Sequence, residues 1–217
     1  MLYFAGLALL KTVFFLLMRL EVKGRENIPR QGAVIAVANH LSVVDPPLLV
    51  LVLGRKTAFM AKEELFSSRI SAFLMRWLGA FPVSRGRINR DALKKAAEVL
   101  AGGQVMAIFP EGMRSQHARL KTAYAGTALV AIRSQAPLVP VGITGTEVIK
   151  GLSWIWHRPR VTVNIGKPFY LPAVDGKMGK EKTGELTNLI MRRIAGLLPR
   201  KYQGIYSPEG RYDSSGD

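Results

Sequence analysis

Residues 33–38 read AVIAVA, six apolar side chains with no polar position among them. A strand with one face in water alternates apolar and polar residues. A run that is apolar on both faces needs cover on both sides, as strands inside a mostly parallel sheet have. Residues 57–61, 80–83, 104–109 and 161–165 are further short strand candidates. Residues 138–143 (LVPVGI) are apolar with a central proline, which suits an edge strand or a strand start. Helical stretches separate them at 46–53, 67–78, 89–101, 122–133 and about 179–198. In the second of these, Ile70, Phe73, Leu74 and Trp77 share one helix face. The alternation predicts an α/β domain over residues 20–200, a mostly parallel central sheet flanked by helices. Residues 201–217 read as a frayed tail.

The first 18 residues, MLYFAGLALLKTVFFLLM, have a different character. Lys11 is their one charged side chain, and Arg19 closes the run. A helix of this length is about 27 Å long, just short of a hydrocarbon core of about 30 Å. Lys11 near its middle would cost about 2.5–3.5 kcal/mol in a spanning helix. The missing basic leader and the missing small-residue cleavage site argue against a secretory signal. A core helix is the plain alternative. Residues 1–19 are expected to form an apolar membrane-associated helix, dipping into one leaflet or weakly spanning, with Lys11 and Arg19 snorkelling toward phosphates.

Charge points the same way. The 217 residues hold 31 Lys and Arg against 15 Asp and Glu, a net charge of +16, yet 48% are hydrophobic. That hydrophobic content excludes a disordered chain. The absence of cysteine excludes disulfide stapling, thiol catalysis and thiolate-bound zinc. A chain both basic and greasy favours an anionic membrane surface over nucleic acid.

Chemistry-bearing residues cluster where strands end, the usual ligand edge of an open α/β sheet. After AVIAVA comes Asn39-His40-Leu41-Ser42-Val43-Val44-Asp45-Pro46-Pro47. On an ideal helix His40 and Asp45 would point about 140° apart, so they meet only if the chain bends, as Asp-Pro-Pro encourages. Met, they would make a general base with an orienting carboxylate. Asp45 as a helix cap and His40 as a structural histidine remain the alternative. No G-x-S-x-G elbow supplies a serine nucleophile, so the hydroxyl of a substrate would attack. His40, His117 and His157 lack metal-ligand spacing. Phe109-Pro110-Glu111-Gly112-Met113-Arg114-Ser115 follows the 104–109 strand. It combines a glycine for close approach with an arginine fork suited to phosphate. Residues 79–87 place Arg85 and Arg87 around a glycine after another strand, either an anion loop or solvated charge.

Taken in order, NHLSVVD, GAFPVSR, FPEGMRS and PLVPVGI resemble the four motifs of the glycerolipid acyltransferases, in particular the bacterial 1-acylglycerol-3-phosphate acyltransferases. The resemblance spans about residues 20–170. It implies acyl transfer from a thioester, acyl-CoA or acyl-carrier protein, to the free hydroxyl of lysophosphatidic acid, giving phosphatidic acid. It implies His40 as base, Asp45 as its partner, and Lys62, Arg85, Glu111, Gly112 and Arg114 as the acceptor-binding residues. No metal or bound cofactor is implied, the thioester being a co-substrate. The oxyanion donors are expected among backbone N–H groups around His40. The implied location is the cytoplasmic face of the cell membrane. Met113 stands where the family has Thr and Ser84 where it has Asp, which leaves the acceptor open. Glycerol 3-phosphate, another lysophospholipid, or a non-catalytic basic membrane-binding role are the rival readings.

Overall fold

A computed structural model describes residues 2–83, 90–151, 153–172 and 179–208. Its centre is a seven-stranded sheet made of β1 (Arg19–Lys23), β2 (Val34–Ala38), β3 (Thr57–Lys62), β4 (Ala80–Val83), β5 (Val105–Ile108), β6 (Leu138–Thr144) and β7 (Arg160–Ile165). The spatial order is β1-β7-β6-β2-β5-β3-β4. Every neighbouring pair is parallel except β6 with β7. One face is covered by α1 (Leu2–Leu17), α2 (Asp45–Leu53) and α3 (Arg69–Trp77). The other carries α4 (Arg90–Ala101), α5 (Gly126–Ser134) and α6 (Lys180–Ala195). β2 shows why AVIAVA has no polar position. Val34, Ala36 and Ala38 pack into the first layer, Ile35 and Val37 into the second, and all five are buried.

The register places the functional edge. β2, β3, β4, β5 and β6 all end there. β7 and β1 begin there, because Thr144 pairs with Thr162 and Arg19 with Arg160. Loops from both groups of strands therefore meet at one rim.

Four elements depart from the sequence expectation. β6 is an interior strand, paired to β2 and β7, despite Pro140. The Pro140 carbonyl accepts the Gly166 N–H, so the missing proline donor points to the same side. Opposite Gly166, just past the end of β7 at Ile165, the proline therefore forgoes only the reciprocal bond of that one pair. On α3, Ile70, Phe73 and Leu74 are exposed, Trp77 alone of that face packs half-buried against the core, and Ala72 is the buried residue. The segment expected to fray stays packed through its first residues. Tyr202 is buried, its carbonyl accepts the Leu120 N–H at 2.9 Å, and residues 204–206 form a further turn. Strand β1 had no clear signal.

α1 buries one stripe, including Leu7, Phe14 and Met18, and exposes Leu9, Val13, Phe15 and Leu16. Among the described residues no helix is long and apolar enough to cross a membrane.

Candidate active site

β2 delivers Asn39 and His40 onto the rim. Asn39 is buried and clasps β6 twice: its amide donates to the Ile143 carbonyl at 2.8 Å, and its Oδ1 accepts the Ile143 N–H at 2.7 Å. The chain then folds back sharply into α2. Asp45, in the first turn of that helix, brings Oδ2 to 2.8 Å from His40 Nδ1. The same oxygen accepts the N–H groups of Leu41 at 2.6 Å and Ser42 at 2.7 Å. One carboxylate oxygen thus gathers the whole turn. Asp45 is 0% exposed, and its Oδ1 accepts the Thr146 hydroxyl at 2.6 Å.

With Nδ1–H assigned as donor to Asp45 by this geometry, Nε2 keeps its lone pair. The imidazole stacks on Phe109 with ring centroids 4.3 Å apart and 27° between planes. The His40 side chain is 17% exposed, enough to meet a substrate while its Asp45 contact stays dry.

The loop after β5 is pinned to this turn at two points. Glu111 Oε1 accepts the His40 N–H at 3.4 Å, and the Ser115 N–H donates to the His40 carbonyl at 2.7 Å. Glu111 Oε2 accepts the Lys121 N–H at 3.0 Å. Glu111 is 3% exposed, and burial pushes its carboxyl up to about 7. It was expected among the acceptor-binding residues, but it lies beneath the site with both oxygens engaged by backbone. Between the two pins, Gly112 and Arg114 are exposed. Gly112 sits at φ +67°, and a Cβ there would come within 2.8 Å of the Tyr124 ring. The loop can take this path only with glycine at that point.

Lys62 is exposed at the end of β3, one strand beyond β5. Arg85 lies outside the described residues. Of the backbone N–H groups considered as oxyanion donors at the His40 turn, those of His40, Leu41 and Ser42 are held by the carboxylates of Glu111 and Asp45. A buried carboxylate requires such partners, and it took them. Thr146 escaped sequence reasoning altogether. It stands 101 positions from Asp45, and no spacing rule connects them.

Fold and site define an α/β protein with a hydrogen-bonded histidine–aspartate pair at the carboxyl edge of its sheet. A family model for acyltransferases matches residues 19–144. The chain belongs to the acyltransferase family. It is 28% identical over 187 residues to the 1-acyl-sn-glycerol-3-phosphate acyltransferase of Bacillus subtilis, covering 85% of this chain and 91% of that one. The protein of that name from Streptococcus pneumoniae is 33% identical over 168 residues, covering 76% and 61%. A chloroplastic relative from Brassica napus is 31% identical over 177 residues. The match covers 78% of this chain and about half, 51%, of that longer protein. Among solved structures, the 1-acyl-sn-glycerophosphate acyltransferase PlsC of Thermotoga maritima superposes with a TM-score of 0.66 at 29% identity, covering 86% of this chain and 74% of that one.

Proposed function

We propose that this protein moves a fatty acyl group from a thioester, acyl-CoA or acyl-carrier protein, to the free hydroxyl of lysophosphatidic acid, giving phosphatidic acid. The observation that carries the reading is the His40–Asp45 contact, which engages Nδ1 and leaves Nε2 as the nitrogen with the lone pair. The names of the bacterial relatives support the acceptor. Nε2 takes the hydroxyl proton as the oxygen attacks the thioester carbonyl. Asp45 stabilises the imidazolium so formed. Collapse of the tetrahedral intermediate expels the thiolate, and the imidazolium returns the proton to sulfur. Lys62, Arg85 and Arg114 hold the acceptor phosphate and so place its hydroxyl; Gly112 lets the backbone approach it. Glu111 supports His40 from below.

The acceptor lives in a bilayer, and the rim suits one. Among the described residues, exposed apolar side chains stand along it: Phe15 near the end of α1, and Val43, Leu65, Met113, Val148 and Trp156, the last 86% exposed. Arg19, Arg158 and Arg160 stand among them at the start of β1 and β7. Apolar residues interleaved with cations match an anionic membrane surface, with about 1 kcal/mol from each basic residue close to it. The proposed location is the cytoplasmic face of the cell membrane; the rim supports only contact with an anionic surface. The deciding experiment is thioester consumption with lysophosphatidic acid in mixed vesicles, with glycerol 3-phosphate and other lysophospholipids as parallel acceptors. Turnover is expected with lysophosphatidic acid and absent in a folded His40→Ala protein. Near-wild-type turnover in that variant refutes the mechanism, and preference for another acceptor refutes the substrate.

A further inference from the structure

We propose that Thr146 is a positioning residue of the active site, acting on His40 through Asp45. The inference rests on the general-base reading above. Its ground is the uneven loading of the Asp45 carboxylate. Oδ2 serves three donors, His40 Nδ1, Leu41 N–H and Ser42 N–H, while Oδ1 serves the Thr146 hydroxyl. A carboxylate offers about four acceptor sites, two on each oxygen. Three donors on one oxygen therefore hold only while the group is kept from rotating to share them. The Thr146 hydroxyl is what holds the other oxygen away. At 2.6 Å it is a charge-assisted O–H···O⁻ bond of the short kind. Remove it, and Oδ1 becomes a buried charged oxygen without its donor, free to swing toward Leu41 and Ser42. Oδ2 then leaves the Nδ1 direction, and the imidazole loses both its tautomer lock and its angle.

Thr146 is itself held firmly, which a merely adjacent residue would not need. It is fully buried and opens the turn at Thr146–Val148. Gly145 before it lies at φ +88°, where a Cβ would fall 2.0 Å from the Arg160 carbonyl oxygen. Glu147 after it accepts the Gly145 N–H at 2.8 Å and the Tyr202 hydroxyl at 2.5 Å. The β-branched side chain has a stiff χ1 of its own. A chain of contacts therefore runs from Tyr202, near the C-terminal end of the described chain, through Glu147 and the Thr146 turn to Asp45 and His40.

The test compares Thr146→Val, which keeps the shape and deletes the donor, with Thr146→Ser, which keeps the donor. Both are assayed with lysophosphatidic acid and a thioester beside His40→Ala. In Thr146→Val, kcat is expected to fall about 10- to 100-fold, the effect of one hydrogen bond to a charged group, with KM for both substrates within about twofold. Thr146→Ser is expected within about threefold of wild type. If Thr146→Val does not fold, Thr146→Ala, which also deletes the donor, carries the same expectation. The proposal is overturned by wild-type kcat in the folded donor-less variant, by failure of Thr146→Ser to recover kcat, or by a loss expressed in KM alone. An active His40→Ala would instead refute the general-base reading, so the two failures are told apart.

Discussion

Replacing Glu111 with glutamine removes one buried negative charge while keeping the side chain's size. Burial holds the Glu111 carboxyl at about 7 against an ordinary 4.5. The folded value is the higher one. Between these two pH values the folded protein therefore binds more proton than the unfolded chain, and stability falls as pH rises through the window. At about 1.4 kcal/mol per pH unit the full difference is about 3 kcal/mol, absent below 4.5 and complete above 7. Roughly 2–3 kcal/mol of it develops between pH 5 and 8. Glutamine does not titrate. It also turns one N–H group toward a backbone donor, either that of His40 or that of Lys121, which costs roughly 1–3 kcal/mol at every pH.

The two effects separate cleanly because only one depends on pH. Urea unfolding followed by tryptophan fluorescence, at pH 5, 6, 7 and 8, gives the difference in stability between wild type and Glu111→Gln. The wild type is expected to lose roughly 2–3 kcal/mol relative to the variant across that range. For a chain of this length that is about 5–10 °C in relative Tm. A difference constant within about 0.5 kcal/mol from pH 5 to 8 refutes the account of Glu111 as a desolvated carboxylate bracing His40.

Three further outcomes follow from the same geometry. Arg114→Ala is expected to raise KM for the phosphate-bearing acceptor more than for the thioester; equal changes would make Arg114 structural. Asn39→Leu deletes both bonds to Ile143 and is expected to cost about 2–4 kcal/mol in urea unfolding, with a loss under about 1 kcal/mol speaking against the clasp. Phe15→Ser combined with Trp156→Ser is expected to weaken binding to anionic vesicles about tenfold or more in flotation assays, and unchanged binding would move the membrane surface elsewhere on the protein.

How much of this was legible in the sequence depends on whether the signal was local. β2 declared itself because burial on both faces forbids polar positions, and the five residues involved are adjacent. The His40–Asp45 meeting was legible as a possibility through Asp45-Pro46-Pro47, and the bend at that point realises it. Pro140 misled because an interior strand tolerates one missing donor where its neighbour ends, and β7 ends at Ile165, just before Gly166. The α3 pattern identified a face correctly, but periodicity carries no information on which side the body lies. Tyr202 lies in a stretch whose composition reads as a tail, and its hydroxyl partner is 55 positions away.

The backbone contacts of Glu111 were not legible in the sequence, and the reason lies in how the His40 turn is built. That turn is held from two directions by two carboxylates. Asp45 grips the ring and the next two amides, which sets the rotation of the imidazole. Glu111 grips the His40 amide itself and ties it to residue 121, which sets where the backbone sits over the rim. A third contact, Ser115 N–H to the His40 carbonyl, opposes tilting of that peptide. The FPEGMRS loop therefore does two jobs, one with buried Glu111 and Ser115 and one with the exposed stretch between them. Glu111 and Ser115 face inward and hold His40, while Gly112 and Arg114 face outward toward the proposed phosphate. Variants of the inward pair are expected to act on kcat and stability together, and variants of the outward pair on KM. An effect of Glu111→Gln on acceptor KM alone would break that division.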